Sequence, residues 1–177
     1  MENTQALKKE YSIPVKAIIS VGLVAAAVLL PWLTHMAGGR TLGAQLLPMY
    51  LPIILAGFLV GPLFAAGVAA LSPVLAFAIT GMPPAAALPF MTAELIVYAL
   101  VCGILYSKAF KKSLPGILLS TALAIIAGKG VYALGVLTFA AVTPLTLDGY
   151  FAAIIAGWPG MLIQFTVIPL TVKLLGR

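Results

Sequence analysis

Two ionisable side chains stand inside apolar runs of the sequence: Glu94, in Met91-Thr92-Ala93-Glu94-Leu95, and Lys129, in Ala127-Gly128-Lys129-Gly130. A charge at membrane depth costs at least about 2.5–3.5 kcal/mol on insertion scales, so such residues mark a pair or a ligand path. Counting about 1.5 Å per helical residue places Glu94 about one-third of the way in from the outer face and Lys129 near the centre. The long Lys129 stem can reach outward, and the two can pair. Two roles stay open: a structural salt bridge between helices, or a polar group facing a cavity and touching a ligand.

Other polar and aromatic side chains gather on the same outer half. His35, Arg40 and Gln45 lie around the first outside connection, Tyr50 in the helix that follows, and Met82 in the rigid connection Gly81-Met82-Pro83-Pro84. Tyr98, Tyr132, Trp158 and Gln164 project from later helices. Trp and Tyr often sit at membrane interfaces with no ligand role. Together, however, the set has what small-molecule pockets use, aromatic walls with a few placed polar groups. His35 has no second His or Cys at ligand spacing, so no metal site is expected.

Enzymatic chemistry finds little material. There is no nucleophile elbow, HExxH, P-loop or close carboxylate pair, so the chain is expected to be no enzyme, with no catalytic residue and no cofactor. Without a nucleotide site it cannot couple to ATP alone. The 4 acidic residues are few for an ion-coupled pump.

The elements that must position these residues follow from composition. Of 177 residues, 63% are hydrophobic and 8% charged, against roughly 25% charged in soluble domains. This is the composition of an all-α integral membrane protein. About 20 apolar residues cross a bilayer, so the length holds about six spans in one transmembrane domain after a short N-terminal segment, 1–13. The apolar runs are Pro14–Met36, Gln45–Val60, Pro62–Thr80, Ala87–Phe110, Pro115–Val142 and Tyr150–Leu175. The first is read as a retained helix, not a signal peptide, being too long and lacking a small-residue cleavage site. Pro48 and Pro52 make the outer end of the second irregular. Irregular backbone at that depth is tolerated where it lines a cavity.

With six spans, Lys8, Lys9, Lys16, Lys108, Lys111, Lys112, Lys173 and Arg177 all fall on one side, which the positive-inside rule makes cytoplasmic, with both termini. Five spans, with the short second run as a broken helix, would put the C-terminal pair outside. The single cysteine, Cys102, reads as a core residue. Gly22 and Ala26, Ala66 and Ala70, and Ala99 and Gly103 are four apart, a spacing that lets helices approach closely.

The stretch Leu46-Leu47-Pro48-Met49-Tyr50-Leu51-Pro52 through Gly61-Pro62 resembles the second-to-third helix junction of substrate-binding S components of energy-coupling factor (ECF) vitamin transporters. Leu71-Ser72-Pro73 through Pro84, Met91–Leu95, Gly128-Lys129 and Pro159-Gly160 resemble the same group, so the likeness runs from about Leu42 to Leu175. Relatives tend to carry Gly-Arg where this chain has Gly-Lys.

The resemblance implies a six-helix vitamin-binding subunit of the bacterial plasma membrane without ATPase activity. Its partners would be a membrane-embedded coupling subunit and two cytoplasmic ABC-type ATPases. The vitamin would sit in an outward-facing pocket, and Gly22 and Ala26 are the nearest match to the docking motif on the first helix. Lys129 and Arg40 favour a carboxylate such as pantothenate, and cobalamin is the other candidate. A stand-alone carrier or channel, and a small membrane enzyme or assembly subunit, are the competing readings.

Overall fold

The computed structural model describes residues 11–109, 113–139 and 141–175. These residues form seven α-helices and no strand: α1 (Ile13–Leu46), α2 (Tyr50–Leu59), α3 (Pro62–Thr80), α4 (Leu88–Ile104), α5 (Leu114–Thr138), α6 (Leu147–Ala156) and α7 (Trp158–Leu174). A π-helical turn, Leu105–Ala109, extends α4. Lys8, Lys9, Lys111, Lys112 and Arg177, on which much of the charge argument rests, lie outside the described residues.

Helix ends follow local chemistry. Proline occupies the first turn of α1, α3, α4, α5 and α7, where its missing N–H costs no intrahelical bond. Ser113 and Thr146 cap α5 and α6, their hydroxyls accepting from the N–H groups of Gly116 and Gly149. Gly81, at φ 71°, ends α3 in the left-handed conformation that a glycine adopts without strain.

Four helices are long and apolar enough to cross a membrane: α1, α3, α4 with its π-turn, and α5. The pair α6–α7, bent by 50° at Gly157, passes as a fifth span when taken together. The structure departs from the expected segments at three places. First, α1 runs past Met36 to Leu46, broken at Gly38-Gly39, where Gly39 has φ 66°. The segment beyond the break is a short arm, and His35, Arg40 and Gln45 belong to this broken helix rather than to a loop. Secondly, α2 has only 10 residues, about 15 Å at the helical rise, too short to cross alone. All of it but Leu51 is buried. Pro48 lies in the irregular turn before it and Pro52 within its first turn, and its place is inside the bundle. Thirdly, the last apolar run is two helices.

The core lies where α2 and α4 meet α3 and α5. Ile53, Ile54, Leu95, Tyr98, Ala99 and Ile117 are its buried centre. By contrast α1 is peripheral, burying only Ala27, Val28 and Gly43, with Ile13, Ile18 and Val21 all more than 70% exposed. Such an apolar outer face suits hydrocarbon.

Close approach rests on glycine at a few points. A Cβ on Gly103 would stand 2.8 Å from the Cα and N of Pro62, backbone atoms that cannot rotate aside. Gly67 has open space around it. Gly103→Ala is therefore expected to cost about 1–3 kcal/mol, as overpacking does. It should lower the thermal midpoint of the chain in nanodiscs, while Gly67→Ala leaves that midpoint unchanged.

Candidate functional site

Glu94 and Lys129 meet. Glu94, fully buried on α4, receives Lys129 Nζ from α5 at 2.7 Å on Oε1. The Tyr98 hydroxyl donates to the same oxygen at 2.9 Å, and the Tyr50 hydroxyl to Oε2 at 3.0 Å. The carboxylate thus holds three donors from three helices, close to the capacity of its two oxygens. Gly128 makes the arrangement possible: a Cβ there would overlap the Tyr98 ring, so α5 could not lie so close to α4.

Lys129 is differently placed. Its side chain is 18% exposed, and an ammonium has three donors, of which Glu94 takes one. Its Nζ lies 5.0 Å from the ring centroid of Tyr50 and 6.0 Å from that of Tyr150, within cation–π range. Tyr150, in the first turn of α6, stacks on Tyr132 with centroids 5.0 Å apart and planes 7° from parallel. Its hydroxyl donates to the Lys129 carbonyl at 2.6 Å, tying α6 to α5.

These groups border a chamber of about 360 Å³ lined by Glu94, Lys129, Tyr50, Tyr132, Tyr150, Met91, Ala44, Leu47 and the segment Pro144–Thr146. A second chamber, about 310 Å³, lies between α1, its arm and α3, and includes His35, Arg40, Tyr50, Met82, Trp32 and Met91. Both are bordered by the loops at one end of the bundle: Pro144–Thr146 for the first, Met82-Pro83 for the second. Among the described residues no three His, Cys, Asp or Glu side chains come together to hold a metal.

The expected site residues therefore divide. Glu94, Lys129, Tyr50 and Tyr132 surround the first chamber, with Tyr98 buried behind Glu94. His35, Arg40 and Met82 line the second, where His35 packs on Gly43, a position at which a Cβ would strike the imidazole. Gln45, Trp158 and Gln164 border neither. Gln45 is exposed, and its carbonyl faces Gly160, whose missing side chain lets α7 approach the arm. Trp158 follows the bend at Gly157 and is 59% exposed at the periphery. Gln164 is buried between helices, its amide bonded to no described residue. Tyr150, Trp32 and Met91 are the residues sequence reasoning missed. Tyr150 opens an apolar run and looks like part of it, and no spacing links it to Tyr132.

Comparison with protein-family models matches residues 16–175 to the ECF transporter, substrate-specific component. The chain belongs to this family. No curated protein and no solved structure matches it. Proteins of this family work with membrane-embedded coupling and ATPase subunits, and the several apolar helices agree with a multi-pass membrane protein. In this substrate-specific component, Gly22 stands on the exposed face of α1 with open space around it, and Ala26 one turn on is half-buried.

Because Glu94 is enclosed, Lys129→Met should leave a buried carboxylate with two neutral donors, at a cost of about 3–5 kcal/mol. The double variant Glu94→Gln/Lys129→Met is expected to recover most of the lost thermal midpoint, since no unpaired charge remains. Equal destabilisation of single and double variants would show that the pair is not what the fold relies on.

Proposed function

We propose that this substrate-specific component binds a small carboxylate-bearing vitamin, of the size of pantothenate, in the chamber beside Lys129. It would do so as a multi-pass subunit of a bacterial plasma membrane. Uptake would be driven by a coupling subunit and two ABC-type ATPases, with Gly22 and Ala26 on the docking face and no catalytic activity in the chain itself.

The observation that carries the reading is the asymmetry of the ion pair. Glu94 is fully buried and already holds three donors, so it offers little to a ligand. Lys129 is held in place by that carboxylate, by tyrosine faces and by the Tyr150 bond to its carbonyl, and it lines the chamber with donors to spare. A carboxylate arriving there meets a fixed ammonium in an aromatic box, the geometry of a charge-assisted hydrogen bond. The volume argues for a compact ligand. Cobalamin, a corrinoid with a nucleotide loop, is far larger than either chamber, which favours pantothenate over it.

The first test is mass spectrometry of small molecules retained by the purified chain, followed by calorimetric titration with pantothenate and other vitamins without nucleotide. Saturable binding at nanomolar to low micromolar affinity is the expected result. Lys129→Ala should weaken it about 10–100-fold, the worth of one hydrogen bond to a charged group. The double variant Glu94→Gln/Lys129→Met should fold and fail to bind. No binding of any vitamin, together with solute flux in liposomes holding this chain alone, would replace the reading with that of a stand-alone carrier.

A further inference from the structure

The two chambers are neighbours with a common border. Ala44, Leu47, Tyr50 and Met91 line both. Two of these come from the arm of α1 and the residue after it, one from α2 and one from α4. At the seam Ala44 is exposed and carries only a methyl group, while Leu47 and Met91 are half-buried. A molecule lying over Ala44 would reach from one chamber into the other without breaking the Tyr50–Glu94 bond.

Their chemistry differs. The first presents Lys129 and the tyrosine stack. The second is lined by Trp32, Met49, Met82 and Met91, three of the chain's 6 methionines, with Arg40 exposed and His35 half-buried among them. Methionine is unbranched and polarisable, and fits itself to apolar groups of varied shape. Neither chamber is lined by an acidic side chain other than Glu94, which its own donors occupy.

We infer that the two chambers form one bipartite ligand site, with the anionic group of the substrate at Lys129 and an apolar limb passing over Ala44 into the methionine-lined chamber. The substrate class is then a compact amphipathic carboxylate whose apolar end extends past the polar chamber. This rests on the carboxylate-binding reading above and extends it. The Lys129 end fixes the head by charge, and the second chamber selects among carboxylates by what they carry at the other end. Arg40 and His35 leave room for a hydrogen-bond acceptor along the limb.

The test uses two probes that share a head, N-acetyl-β-alanine and N-(8-bromooctanoyl)-β-alanine, on the full chain in nanodiscs. Trp158 borders neither chamber, so Trp158→Phe leaves Trp32 as the only indole of the chain's 2. Bromine quenches tryptophan fluorescence at short range. The long probe should bind at least tenfold more tightly by calorimetry and quench Trp32, and excess N-acetyl-β-alanine should relieve the quenching. That relief separates occupation of the site from partition into the bilayer. Equal or weaker binding of the long probe, or quenching that the short probe does not relieve, would overturn the bipartite site while the carboxylate reading stood. Failure of both probes to bind would remove the carboxylate reading and the bipartite site together.

Discussion

A carboxylate with no exposed surface, inside a bundle built to face hydrocarbon, has to be satisfied completely by its own chain, and Glu94 is. Its three donors come from α2, α4 and α5, so the groups that neutralise it also fix how those helices stand to one another. The short α2 has no length to cross a membrane and little reason of its own to sit where it does. Its apolar surface seals it into the core, and the Tyr50 hydroxyl sets its register against α4. The rise of α5 past α4 is fixed in the same way, by Lys129 reaching Oε1 and by Gly128 giving room to the Tyr98 ring. Removing either charge alone leaves the other without a partner in a medium that solvates ions poorly.

The asymmetry of that pair is the feature on which the proposed site rests. Three donors hold the Glu94 carboxylate, which in turn holds the Lys129 ammonium, and that ammonium has donors to spare. Tyr150 adds a second constraint by bonding the carbonyl of Lys129 itself, which links the bent α6–α7 pair to α5. The groups around the chamber are thus fixed by the fold's own bonds, as the proposed site requires. An organised site loses less freedom on binding and so retains more of its contact energy as affinity.

Around this centre the packing grades outward. The α2–α4 contact is close because Gly57 faces Ala99 and Cys102, and the α3–α4 contact because Gly103 faces Pro62. α1 lies at the edge with little buried surface, and its arm beyond Gly38-Gly39 folds over the end of the bundle to supply part of the wall of both chambers. Gly22 on this peripheral helix has open space around it.

Composition alone determined the class of this protein: so few charges and so long a succession of apolar runs admit only a helical membrane protein. The cost of burying charge also determined that Glu94 and Lys129 matter, because a residue that expensive has to be paired or used. The family was legible from local motifs, since proline and glycine punctuation at helix ends is written in sequence neighbours. What only the tertiary structure decided is everything that depends on distance between segments. Whether the two charges meet, which of them stays open, and that Tyr150 stacks on Tyr132 are set by the rotation and depth of helices far apart in the chain. The same holds for Trp158 and Gln164, which border neither chamber. The apolar runs of this sequence show almost no periodic difference between faces, because lipid and core are both hydrocarbon-like. A hydrophobicity pattern therefore tells which segments enter the membrane, and only packing tells which way each side chain faces once there.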